Sequence, residues 1–167
     1  MSTLLEHFKT LDELVSRFDA QIKAWHRSSE LSRRLEKIPG IGALGASALV
    51  ASIGDAKSFD NGRQLSAWLG LVPKQRSSGG KSTLLGISKR GDVYLRTLLI
   101  HGARSAIVAA QRKPECDNPW LFSLLKRRHP NVAAVALANK NARAIWAMLA
   151  HNREYQADHV PSQNVFS

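Results

Sequence analysis

The chain has 167 residues, enough for one compact domain plus an extension and too few for two full domains. Its 24 Lys and Arg against 13 Asp and Glu leave a formal net charge of +11, so a polyanion is the expected partner, nucleic acid before an anionic membrane. The longest apolar-leaning stretch, NVAAVALANKNARAIWAMLA, is broken by Asn, Lys and Arg and falls short of the roughly 18 apolar residues of a membrane span. The N-terminus lacks a secretion-signal pattern. Cys116, the sole cysteine, excludes an internal disulfide and fits a cytoplasmic location.

From Thr3, the apolar residues Leu4, Leu5, Phe8, Leu11, Leu14, Val15, Phe18, Ile22 and Trp25 recur every three or four positions, the mark of one helical face. Thr3 with Glu6 fits a capping box, and no Gly or Pro intervenes before Pro39. The pattern predicts one amphipathic helix over residues 1–37, about 50 Å long. A single small domain cannot cover that seam, so a coiled-coil-type partner helix is expected, against the plainer reading that the helix packs on its own domain.

The turn Ile38-Pro39-Gly40-Ile41-Gly42 and the small-residue helix after it predict a helix-hairpin-helix element at about 35–53, with Ile38, Ile41, Ala46 and Leu49 as its core. Gly40 and Gly42 would let backbone N–H groups at the start of the second helix face a phosphate. The competing reading is an ordinary pair of closely packed helices. QLSAWLGLV then predicts a short helix ended by Gly70 and Pro73. Further helices are predicted over residues 91–111, 121–129 and 131–155, with the polar tail 156–167 disordered. Strand signals are weak throughout, so the predicted fold is all-α (mainly α), with residues 38–155 as its compact domain. Trp68, Trp120 and Trp146 fall at apolar helical positions and are read as core.

Between two of these helices lies RSSGGKSTLLGISKRG, residues 76–91, with four glycines, four cations and no acid. Nine cations fall between Lys74 and Lys113 against the single acid Asp92 among those from 74 to 113. This concentration predicts a phosphate-backbone track formed by Lys74, Arg76, Lys81, Lys89, Arg90 and Arg96, with Gly79 and Gly80 permitting close approach. The glycine-rich loop is expected to stay unordered without DNA. A serine nucleophile needs a base or metal to accept its proton. The loop offers neither, the six histidines show no triad spacing, and no acidic cluster suggests a two-metal centre. The residues alone therefore favour a clamp over a nucleophile.

The segment from Pro39 to about Tyr155, above all WLGLVPKQRSSGGK followed by GISKRGDVYLRTLLIHGA, resembles the C-terminal transposase domain of the IS110 and IS1111 family of bacterial insertion sequences. The resemblance implies a recombinase of DNA transposition, guided by a structured RNA, that cleaves and rejoins strands through a phosphoserine intermediate. By position it implies Ser78 as nucleophile, with Ser77 as the adjacent rival. It also implies an N-terminal RuvC-like domain holding Mg²⁺, joined through a coiled coil. This sequence has no counterpart of that domain, so no cofactor is expected in the chain itself and independent catalysis is not expected. The implied partners are DNA at the element ends and target, a guide RNA, and further copies in a dimer or tetramer through the first helix, near the bacterial nucleoid. Two other readings compete: a non-catalytic DNA- or RNA-binding module, and a dimerisation fragment with an incidental basic face.

Overall fold

The computed structural model describes residues 2–78, 81–112 and 118–156, and within 76–84 the backbone alone. It breaks the predicted first helix at Ser29. Helix α1 spans Ser2–Ser28 and α2 spans Glu30–Leu35. Ser29 takes extended dihedrals (φ −89°, ψ 113°) and its hydroxyl accepts from the Ser32 N–H. A serine at this position satisfies a free amide of the new helix, and Glu30 behind it suits the positive helix start. The apolar seam alone does not reveal this interruption.

The two helices differ in burial. Along α1, Leu4, Leu5, Phe8, Val15 and Phe18 are exposed, whereas Ser32, Arg34 and Leu35 of α2 are buried. Thus α2 is built into the compact body. A turn leads to α3, Ala43–Ile53, and the predicted core residues Ile38, Ile41, Ala46 and Leu49 are all buried. A short 3-10 turn, Ala56–Ser58, precedes α4, Gly62–Trp68, which Asn61 caps by accepting from the Arg63 and Gln64 amides.

Three more helices complete the body: α5, Val93–Arg112; α6, Pro119–Arg127; and α7, Pro130–His151. Proline opens both α6 and α7, where its missing N–H costs nothing. Ala103 of α5 and Ala133, Ala134, Ala138 and Ala142 of α7 are buried in a core shared with Leu95, Leu99 and Ile145. Such small side chains let helix axes approach closely. Each fully buried Leu or Ile adds roughly 1.5–3 kcal/mol through lost contact with water.

The fold is mainly α, with one correction to the predicted loop. Pro73–Ser78 (β1) and Lys81–Ile87 (β2) form an antiparallel hairpin. Polar and glycine content masked it, because a two-stranded ribbon needs backbone partners more than an apolar face. Two of the predicted core tryptophans are also corrected: Trp68 is 37% and Trp120 38% exposed. Trp146 is half-buried and donates its indole N–H to the Ala56 and Phe59 carbonyls. The predicted disordered tail lies almost wholly outside the described residues. Just before it, Asn152 and the Arg153 carbonyl accept from the Arg34 guanidinium, tying the end of α7 to α2.

Candidate nucleic-acid interface

The hairpin rises from a tightly tied root. Below the strands, the Ser88 N–H donates to the Val72 carbonyl at 2.8 Å and the Lys89 N–H to the Gly70 carbonyl at 3.1 Å. Gly70 (φ +70°) and Gly91 (φ +98°) face each other's segments: a Cβ on Gly91 would overlap the Trp68 carbonyl, and one on Gly70 the Arg90 carbonyl. Glycine is required at both, for its dihedrals and for the close approach. Two helices then grip this root. Arg96 of α5 donates through Nη1 to the Leu69 carbonyl at 3.2 Å, and Asn139 of α7 donates through Nδ2 to the Leu71 carbonyl at 3.1 Å.

In the hairpin, Arg76 pairs with Thr83, Ser77 with Ser82 and Ser78 with Lys81. The register shifts between Pro73 and Gln75, an irregularity that increases local twist. Gly79 and Gly80 lie outside the described residues. Lys74, Lys89 and Arg90 are exposed, and Lys89 holds the left-handed region at φ +56°. No carboxylate occurs from residue 73 to residue 91. The next one, Asp92, accepts from the Leu95 amide at 2.8 Å and so serves the start of α5.

Two predicted phosphate contacts have other duties. Arg96 is only 8% exposed, and its Nη1 is engaged with the Leu69 and Asp92 carbonyls. It supports the hairpin from within, which corrects its assignment to the exposed track. Gly40 (φ +87°) packs against Gly102 of α5, where a Cβ on either would overlap the other's backbone. Its lack of a side chain serves that contact. Gly42 differs: it precedes α3 in extended backbone, and a Cβ there would meet nothing within 4 Å.

One cluster was not legible in the sequence. His26 Nδ1 lies 2.7 Å from Ser32 Oγ, its Nε2 lies 2.9 Å from Glu36 Oε2, and Ser32 Oγ continues to Ser47 Oγ at 3.5 Å. The order Ser, His, Glu is that of a hydrolytic triad, but Ser32 is 0% exposed and no substrate reaches it. The cluster pins the break between α1 and α2 onto α3. Histidine six residues before a serine carries no signal until the chain folds back at Ser29.

Among the described residues no three His, Cys, Asp or Glu side chains come together as a metal site. Nor is any described helix long and apolar enough to cross a membrane.

The family model of the IS116/IS110/IS902 transposases matches residues 32–118, more than half of the chain and the stretch that contains the hairpin and its root. The chain belongs to this transposase family. It is 50% identical over 153 residues to a "Probable family 20 transposase" of Pseudomonas aeruginosa, covering 92% of this chain and 45% of that protein. It is 49% identical over 145 residues to the transposase for insertion sequence element IS1111A of Coxiella burnetii, covering 87% and 40%. With the transposase for IS1328 of Yersinia enterocolitica the figures are 41% over 148 residues, 89% and 44%. The chain thus spans less than half the length of these relatives.

Proposed function

We propose that this chain is the DNA-binding, nucleophile-bearing part of an insertion-sequence transposase. The observation that carries the reading is the rooted basic hairpin: Ser78 stands in register with Lys81, inside a stretch from residue 73 to residue 91 that has five cations and no carboxylate. Lys74, Arg76, Lys81, Lys89 and Arg90 hold the phosphates of the scissile strand, and Gly79 and Gly80 allow the backbone to come close. Gly42, at the open start of α3, offers a further phosphate position.

In the reaction, the Ser78 oxygen forms a bond to phosphorus while one phosphate–sugar ester bond breaks. The hydroxyl proton passes to a base outside the described part of the chain, and the leaving sugar oxygen ends as a hydroxyl. The cations stabilise the charge that builds on the phosphoryl oxygens. Rejoining reverses these steps with a new sugar hydroxyl as nucleophile. Ser77 is the alternative nucleophile, and its cross-strand neighbour is Ser82 rather than a cation. Mg²⁺ belongs to a RuvC-like part of the longer enzyme, and a structured RNA directs the complex to its sites.

The first helix joins copies of the protein. Leu4, Leu5, Phe8, Val15 and Phe18 are exposed on α1, which is about 40 Å long. That supports a partner helix along the seam.

Covalent trapping tests the chemistry. Full-length enzyme, guide RNA and Mg²⁺ are mixed with element-junction DNA nicked so that religation is blocked, and products are resolved on a denaturing gel. A protein–DNA adduct that disappears in Ser78→Ala and persists in Ser77→Ala is the expected result. An adduct that survives both substitutions would reduce the hairpin to a clamp. DNA cutting without any adduct in the wild type would overturn the phosphoserine mechanism.

A further inference from the structure

A second cationic region lies away from the hairpin. Helices α5, α6 and α7 contain no Asp or Glu at all, yet Arg104, Arg112, Lys126, Arg127 and Arg143 are exposed on them. Lys126 and Arg127 fall in the last turn of α6, where the helix dipole favours cations. The dipole does not account for Arg128, beyond the helix end, or for Arg104, from another helix. Tertiary structure brings Arg104 to the start of α7, next in sequence to Arg128: Arg104 Nη2 donates to Asn131 Oδ1 at 3.3 Å, and the Asn131 backbone N–H donates to His129 Nδ1 at 3.2 Å. Around the exposed start of the 22-residue α7 there is thus a corner formed by Arg127, Arg128, His129, Asn131 and Arg104. No carboxylate on these helices offsets its charge, and such uncompensated repulsion disfavours the compact state unless a polyanion occupies the corner.

The corner also has a defined relation to the hairpin. Arg96 and Asn139 hold the hairpin root, while Arg104 and Asn131 meet eight residues further along α5 and eight residues back along α7. The two levels are therefore about 12 Å apart along the helix pair. That is close to the width of a DNA major groove, about 12 Å.

From this arrangement we infer that the α6–α7 corner with Arg104 is a second phosphodiester-backbone site, and that one DNA double helix spans it and the basic hairpin. This inference rests on the hairpin being a nucleic-acid contact, so its test separates the two surfaces. Binding of the 167-residue chain to a labelled duplex of about 20 base pairs, as DNA and as RNA, is followed by fluorescence anisotropy across a NaCl series. Three variants are compared with the wild type: Arg127→Ala/Arg128→Ala and Asn131→Asp at the corner, and Lys89→Ala/Arg90→Ala at the hairpin.

Each lost phosphate contact lowers the slope of log K against log salt by about 0.9, so the corner double variant loses about two units of slope, with affinity down at least tenfold at low salt. Asn131→Asp keeps the oxygen that Arg104 uses and adds a charge that a helix start favours, so it weakens binding without weakening the fold. Weakened binding of the DNA duplex is the expected result; weakened binding of the RNA duplex alone would overturn DNA as the occupant. Unchanged slopes in both corner variants, with Lys89→Ala/Arg90→Ala impaired, would overturn the corner and leave the hairpin reading standing. A wild type that binds neither duplex would overturn both.

Discussion

Arg96 Nη1 donates to the carbonyl oxygen of Leu69 across 27 residues of chain, and this bond ties the helix following the basic hairpin to the segment preceding it. A buried, charged donor removed from a carbonyl leaves that carbonyl unsatisfied. Arg96→Ala is expected to cost roughly 2–3 kcal/mol in urea unfolding. It should also raise amide exchange at Ser88 and Lys89, whose N–H groups close the hairpin root. A loss below about 0.5 kcal/mol would mean that Asn139 and the two glycines hold the root without it.

Gly40 and Gly42 are two residues apart and should answer oppositely to alanine. At Gly40 a Cβ combines positive φ with overlap of the Gly102 backbone, so Gly40→Ala is expected to cost roughly 2–4 kcal/mol. At Gly42 there is open space and extended backbone, so the cost is at most about 1 kcal/mol, from a poorer helix cap. Thermal melts of the two variants make the comparison. Equal losses would remove the assignment of Gly40 to packing.

The exposed seam of α1 predicts self-association. Analytical ultracentrifugation of the chain should show a concentration-dependent dimer or tetramer, and Phe8→Lys/Val15→Lys, both at exposed positions, should yield monomer with an unchanged melt of the compact body. A wild type that stays monomeric at its highest soluble concentration would overturn self-association through the seam.

The contact between α2 and the segment after α7 carries a pH dependence. Lys37 Nζ lies 2.6 Å from Glu154 Oε2, and this hydrogen bond, helped by the charges of Lys37 and Arg34, holds the Glu154 carboxyl below its ordinary value. A depressed folded-state pKa stabilises the contact above the unfolded-state value, and that contribution is lost as pH falls through the folded-state value. Glu154 is exposed, so salt screens the effect. A carboxyl NMR titration should find Glu154 titrating below a free glutamate at low salt and moving up in Lys37→Met. No movement in that variant would remove Lys37 as the cause.

Local features are legible in the residue pattern alone. Apolar residues every three or four positions specified the main helices; the Ile38, Ile41, Ala46 and Leu49 spacing specified a buried turn; and the density of cations after Lys74 marked the basic segment. Periodicity and charge density depend on near neighbours in the chain, so they are legible without a fold. WLGLVPKQRSSGGK also carried the family, which the match over residues 32–118 shows.

Long-range contacts set the rest. Ser29 breaks the first helix as His26 turns back onto Ser32 and Glu36, and the basic segment becomes a hairpin because Arg96 and Asn139 fasten its root from two distant helices. The same contacts separate residues of one type by role. Arg96 is buried and supports the root while Arg90, six residues before it, faces solvent; Gly40 packs on Gly102 while Gly42 opens a helix. Composition treats all arginines and all glycines alike, and only their three-dimensional neighbours determine which serve the fold and which remain open to a ligand.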